Sequence, residues 1–163
     1  MKIINNITEK LSDDLHVEIS PHSKVSIAAA CFSVYAYEEL KEQLEQVDSL
    51  RFIFTSPTFL SEPSAKEKRE FYIPRQAREK TLHGSEFEIR LRNEFTQKTI
   101  SKECADWVRR KAQFKSNCTD ETMPGFLAVD SDHPVAYAPI NGFTRADLGC
   151  ERGGNMFSMI QQL

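Results

Sequence analysis

The sequence lacks the features that mark several special classes of protein. Its 163 residues include only 6 glycines and 7 prolines, and 40% are hydrophobic, which excludes a collagenous, low-complexity or wholly disordered chain. No apolar run approaches the ~20 residues of a membrane-spanning helix. The N-terminus, MKIINNITEKLSDDL, has no signal-peptide core. These absences predict a soluble cytoplasmic chain that makes no membrane contact.

The sequence also lacks a large excess of charge of either sign, and it lacks metal-binding patterns. The chain has 21 basic and 24 acidic residues, a net charge of −3, so contact with nucleic acid would need a local basic patch. Its four cysteines form no CxxC pair and have no zinc-finger spacing. We expect no metal and no cofactor, and reduced cysteines packed as small hydrophobic residues, with Cys31 in an apolar run and Cys104 on a helix.

Familiar catalytic motifs are missing as well. The sequence contains no GxxxxGK[ST] phosphate loop, no GxGxxG, no HExxH and no GxSxG. The domain itself is therefore not expected to hydrolyse ATP. The four histidines stand far apart along the chain, and we expect each to be a surface or loop residue.

The first half of the chain does contain a clear βαβ pattern. Residues 24–32 (KVSIAAACF) form a short apolar run, which is typical of a buried strand. Residues 35–48 have an apolar stripe at helical spacing, formed by Tyr37, Leu40, Leu44 and Val47. Residues 50–55 (LRFIFT) are typical of a second buried strand. Strand, helix and strand in about thirty residues predict a parallel pair with a right-handed crossover.

The second half is read as an excursion followed by a helix and short strands. Residues 56–93 carry many charges of both signs and predict an excursion with short helical or extended pieces. Residues 98–111 predict a helix whose apolar face, Ile100, Cys104, Trp107 and Val108, includes a buried Trp107. Residues 113–116, 125–129 and 135–138 predict strands, the last two joined by a turn. The expected fold is a single α/β domain over residues 1–163, with a mixed, mainly parallel sheet flanked by helices.

Three stretches, in order, suggest a family. The run SKVSIAAACFSVYAYEELKEQLEQVDSLRFIFTSPTF resembles the opening of phospholipase D-like (HKD) domains found N-terminal to SWI/SNF-type helicases. FEIRLRNEFTQKTISKECADWVRRK is similar to the helix region that follows there, and INGFTRADLG is similar to the loop after the catalytic motif. The resemblance implies one lobe of a phospholipase D-like fold. It also implies that the chain is the N-terminal part of a longer, ATP-binding helicase.

The catalytic motif of that superfamily, H-x-K-x4-D, is degenerate in this chain. In the family the histidine acts as nucleophile or general acid, the lysine neutralises a phosphate oxygen, and two motifs complete one active site. The corresponding stretch here, MPGFLAV, has Pro124 where the histidine is expected and Phe126 where the lysine is expected. Two other partial matches lie elsewhere than the family's motif: His22-Ser23-Lys24 spells H-x-K but has Ala29 where the aspartate is expected, and His83-Gly84-Ser85 has serine in place of the lysine. We therefore predict no catalytic residue.

The loop after the motif, and a cluster of cations, are the candidate phosphate contacts. By resemblance to the family, Asn141, Thr144 and Arg145 would contact phosphate. Asn141 and Gly142 are equally consistent with a plain turn, since that dipeptide favours positive φ. A second basic group, Arg109, Arg110 and Lys115, lies near aromatic residues, as in nucleic-acid-binding proteins. These cations are also consistent with a solvated helix terminus.

Two functions remain open from the sequence. The first is a non-catalytic accessory domain that positions or regulates an attached DNA helicase, through DNA or through contact with the helicase domain. The second is an active phosphodiesterase or nuclease whose nucleophile comes from elsewhere in the chain or from a second subunit. The expected partners are the downstream helicase domain and DNA, and the family resemblance leaves a homodimer open.

Overall fold

The computed structural model describes residues 2–56, 60–61, 71–72, 97–119, 121, 123–151 and 154–163. The predicted excursion at 56–93 lies almost entirely outside these ranges, as does His83. The helices are α1 (Leu11–Glu18), α2 (Val34–Glu39), α3 (Lys41–Gln46) and α4 (Gln97–Lys111). The strands are β1 (Lys2–Ile4), β2 (Lys24–Ala29), β3 (Ser49–Phe54), β4 (Leu60–Ser61), β5 (Phe71–Tyr72), β6 (Ala112–Ser116), β7 (Phe126–Asp130), β8 (Val135–Ala138) and β9 (Ile160–Gln162).

Seven of these strands form one mixed sheet in the order β1-β9-β8-β7-β2-β3-β6, which confirms the α/β prediction. The prediction of a mainly parallel sheet is wrong. Parallel pairing is confined to β2 with β3 and β3 with β6, whereas the other neighbours are antiparallel. The short turn between β7 and β8 explains part of the difference, because a tight turn joins only antiparallel strands.

The predicted βαβ unit is present, with β2 and β3 parallel and in register from Lys24 with Ser49. Strand β2 is shorter than the predicted 24–32, because the chain changes partner after Ala29. The Ala30 N–H donates to the carbonyl of Asn141 at 2.8 Å, and the Phe143 N–H donates to the carbonyl of Cys31 at 2.9 Å. Residues 141–143 therefore take over from β7 as the neighbour of the chain just after β2.

The single helix predicted for residues 35–48 is two short helices. Helix α2 begins after Ser33, whose side chain accepts a hydrogen bond from the Tyr35 N–H, as an N-cap residue does. The break falls at Leu40, with φ −108° and ψ 18°. The predicted apolar stripe is nevertheless fully buried on both sides of the break, so burial of the stripe is retained where helical geometry is interrupted.

One face of the sheet carries the hydrophobic core. Alternate residues of the central strands point to this face and are buried, including Val25, Ile27, Leu50, Phe52, Leu127, Val129 and Tyr137. Each described helix contributes to the same core cluster. Trp107 of α4 has no exposed surface and donates its indole N–H to the carbonyl of Leu44 at 2.8 Å, which confirms the prediction that Trp107 is buried.

The other face, called here the open face, presents the intervening residues. It carries Ser26, Ala28, Arg51, Ile53, Gln113, Lys115, Phe126, Ala128 and Ala136, as strand register and side-chain alternation require. Apart from Ala28, these residues are half-buried or exposed. In the part of the chain that the structure describes, core packing is thus one-sided. A half-solvated sheet of this kind is typical where antiparallel pairs dominate.

Candidate functional site

The stretch that resembles the catalytic motif leads into β7. Pro124 is exposed, and Phe126 is half-buried on the open face opposite Ala28 of β2. Because β7 ends at Asp130, counting back through the H-x-K-x4-D spacing gives a second register, with Met123 and Gly125 at the histidine and lysine positions. Neither register supplies an imidazole or an ammonium group, which the phosphodiester chemistry of the family requires.

Gly125 is fixed by close backbone contacts. A Cβ at this position would collide with the carbonyl oxygen of Ile140 and lie 3.1 Å from the carbonyl oxygen of Ala28. The Ile140 N–H also donates to the carbonyl of Gly125 at 3.1 Å. There is consequently no room for a lysine side chain at this point of β7 without displacing the loop that begins at residue 139.

The structure gives Gly142 a different role from the plain turn considered above. Positive φ occurs at the described glycines Gly149 and Gly154 but not at Gly142. A Cβ on Gly142 would lie 2.6 Å from Oδ2 of Asp147 and 2.7 Å from Sγ of Cys31. Lack of space, and not backbone conformation, therefore accounts for this glycine. The neighbouring Asn141 is exposed.

Two of the predicted phosphate contacts are engaged within the fold. Thr144 is buried, and its hydroxyl donates to Oδ2 of Asp147 at 2.6 Å. Burial raises the pKa of Asp147, an effect partly offset by hydrogen bonds from Thr144 and Gly142. The Arg145 side chain is only 12% exposed and donates to Oε2 of Glu39 at 2.9 Å. Thr144 therefore forms a bond within the loop, and Arg145 joins the loop to α2.

Asn6 is a structural residue that the sequence reasoning missed. It is 1% exposed, its Nδ2 donates to the carbonyl of Asp147 at 2.7 Å, and its Oδ1 accepts the Leu11 N–H at 3.0 Å. Asn6 has φ 59°, a conformation that asparagine tolerates better than most residues. The Asn5-Asn6 pair before a helix is the only signal in the sequence. Asn6 joins the loop to the start of α1.

The predicted basic cluster on α4 is balanced by hydrogen-bond acceptors. Arg109 pairs with Asp106 at 2.9 Å, and Arg110 pairs with Glu45 at 3.2 Å. Lys111 donates to the carbonyls of Glu45 at 2.7 Å and Val47 at 2.6 Å. Ala112, which follows this cluster, pairs with Leu50 near the start of β3. The loop at 141–145 instead contacts residues just after the end of β2. The structure therefore does not bring the cluster and the loop together.

Lys115 belongs to a different surface. Together with Ser26, Arg51, Gln113 and Phe126 it lines a cavity of about 360 Å³ on the open face. Arg51 donates to Oγ of Ser26 at 2.9 Å. Arg51 was read from the sequence as part of a buried strand. Strand alternation is the signal that would have placed its side chain opposite the core-facing Leu50 and Phe52.

No protein-family model matches this chain, and a search of curated proteins finds no match. Over the described residues, no group of three or more His, Cys, Asp or Glu side chains is arranged to hold a metal ion. In the same ranges, none of the helices is long and apolar enough to cross a membrane.

Proposed function

We propose that this chain is a non-catalytic domain derived from the phospholipase D-like fold, and that it positions or regulates an attached DNA helicase. The observation that carries the proposal is the stretch leading into β7, where Pro124, Gly125 and Phe126 stand in place of H-x-K. Gly125 has no space for a side chain. The proposed partners are the downstream helicase domain and DNA, in a cytoplasmic protein.

The order of the elements also supports the proposal. The resemblance implies a parallel βαβ opening, a later strand with the catalytic motif, and a loop that follows this strand. Here β7 pairs directly with β2, and the loop from residue 139 packs against the end of β2 through the Ala30–Asn141 and Phe143–Cys31 hydrogen bonds. The degenerate motif and its loop are thus adjacent in space.

A nucleophile from the described histidines is not favoured by position. His22, the nearest match to H-x-K, has an 85% exposed side chain and bonds to Asp48 at 3.0 Å. It precedes β2, whereas Gly125 lies beside the opposite end of that strand. At ~3.3 Å per residue the strand separates them by roughly 15 Å. A single phosphate group could therefore not contact both His22 and the position of Gly125.

Metal-independent hydrolysis of bis(p-nitrophenyl) phosphate and of single-stranded DNA tests the proposal. We expect the purified protein to show no turnover above heat-inactivated protein, because it lacks the imidazole that forms the covalent intermediate. The matched variants are His22→Ala and His83→Ala. Hydrolysis by the wild type that either variant abolishes would overturn the proposal and establish an active phosphodiesterase.

A further inference from the structure

Two cations of the open face, Arg51 and Lys115, differ in their pairing from the arginines named from the sequence. Arg109, Arg110 and Arg145 each have a carboxylate partner. Arg51 and Lys115 are exposed, and no carboxylate among the described residues forms an ion pair with either of them. Within the described ranges, their charge is therefore available to a ligand without the loss of an ion pair.

Strand register places these two cations side by side. Arg51 of β3 lies opposite Gln113 of β6, and Lys115 is two residues further along β6 on the same face. With strands ~4.8 Å apart and a rise of ~3.3 Å per residue, such diagonal neighbours are roughly 8 Å apart, within reach of long side chains. One phosphate group can therefore contact both cations.

An aromatic ring, that of Phe126, lies at the other end of the row of open-face residues that contains Lys115. The row that contains Lys115 continues through Ile53 and Ala28 to Phe126 of β7. Three strand spacings of ~4.8 Å separate Lys115 from Phe126 by roughly 14 Å, about the span of two nucleotides. The half-buried ring of Phe126 lines the same cavity as Arg51 and Lys115.

We propose that the open face binds single-stranded nucleic acid, with phosphates at Arg51 and Lys115 and an unstacked base on Phe126. This inference rests on the DNA contact of the proposed function and assigns that contact to a surface. Cations that track the backbone, with an aromatic platform for bases, are the general means of binding single strands. A duplex keeps its bases stacked inside and offers none to Phe126.

The open face carries a small local group of cations and is not a broad basic surface, which fits a single-stranded ligand bound through a few phosphates. The net charge of the chain is −3, so attraction must be local and sensitive to salt. Among the described strand residues of this face the carboxylate is Asp130, which lies opposite Lys24, two strands from Arg51 and at the end of the strands remote from Lys115. Polar contacts from Gln113 and Ser26 fit sugar and phosphate oxygens, which carry no base specificity.

Fluorescence anisotropy with a labelled oligothymidylate of about 12 nucleotides, at ~50 mM salt, tests the inference. The double variant Arg51→Gln/Lys115→Gln should weaken binding by about tenfold or more and reduce the slope of log K against log salt by about 1.4. Phe126→Leu keeps the apolar bulk but removes the ring, and should weaken binding about fivefold or more. Arg109→Gln/Arg110→Gln is the matched control for charge and should bind like the wild type. Unchanged thermal unfolding establishes that each variant is folded.

The outcomes separate this inference from the proposed function. Weaker binding in the Arg109/Arg110 control, with normal binding in the Arg51/Lys115 variant, overturns the inference but retains a DNA contact. Equal affinity for a duplex of the same length, with no effect of Phe126→Leu, overturns the single-strand assignment. No binding by folded wild-type protein overturns the inference and leaves contact with the helicase domain as the basis of the proposed function.

Discussion

Burial determines how the polar side chains of the loop after β8 are used. Thr144 and Arg145 have the residue types that bind phosphate, yet each already has a partner: the hydroxyl donates to Asp147 and the guanidinium donates to Glu39. Phosphate binding by these groups would have to replace those contacts in a half-buried setting, where an unpaired carboxylate is costly. Among the residues expected to bind phosphate, Lys115 is exposed and forms no ion pair with the carboxylates that the structure describes.

Trp107 is the side chain on which stability is expected to depend most. It is fully buried, its ring lies 5.1 Å from that of Tyr37, and its N–H is paired with Leu44. Truncating a buried tryptophan costs roughly 3–5 kcal/mol, so Trp107→Ala should unfold or nearly unfold the domain. Urea denaturation followed by circular dichroism measures the loss.

Arg109→Ala is the matched control on the same helix. Arg109 and its partner Asp106 are largely exposed, and such pairs contribute about 0.2–1 kcal/mol. A Trp107→Ala variant with an unchanged unfolding midpoint but reduced oligonucleotide binding would contradict the structural role and make Trp107 a ligand contact.

For the helices and strands, hydrophobic periodicity was sufficient to place an element wherever the local pattern and tertiary packing agree. The apolar run of β2, the stripe of α4 and the turn between β7 and β8 were all placed within a few residues of their observed bounds. The break at Leu40 has no signal in the apolar stripe, and the early end of β2 was not predictable because it depends on a partner distant in sequence. Asn141, which takes over the pairing at Ala30, lies more than a hundred residues away.

The contact between β7 and the following loop gives a prediction for this pair of elements. Gly125→Ala would force Cβ into the carbonyl of Ile140 and disturb the Ile140 N–H bond to Gly125. Overpacking of this kind costs typically 1–3 kcal/mol, so we expect a loss of stability in that range by urea denaturation. The adjacent, exposed Pro124→Ala is the control and should change stability by less than about 1 kcal/mol. Equal urea midpoints for Gly125→Ala and Pro124→Ala would show that the loop after β8 moves to accommodate the added methyl group at little cost in stability.

For the molecule as a whole, closeness in sequence was a poor guide to the site. The densest cationic run, Arg109 to Lys111, lies together in the sequence but is neutralised in space by Asp106, Glu45 and main-chain carbonyls. Arg51 and Lys115 are 64 positions apart and become neighbours only because β3 pairs with β6. That pairing joins strands across a long connection, which no local pattern specifies.

The cysteines offer a test of how cooperatively the whole molecule opens. Cys104 lies in the core, and its burial raises the pKa of the thiol to about 12, whereas Cys118 is exposed. Since the thiolate is the reactive species, Cys118 should react with a disulfide reagent at once at about pH 8, and Cys118→Ser should remove this fastest phase. Because Cys104 shares one core cluster with residues of every described helix, its labelling should occur only at the rate of global unfolding, measured independently in denaturant. Labelling of Cys104 well above that rate would show that α4 separates from the sheet while the rest of the core stays closed.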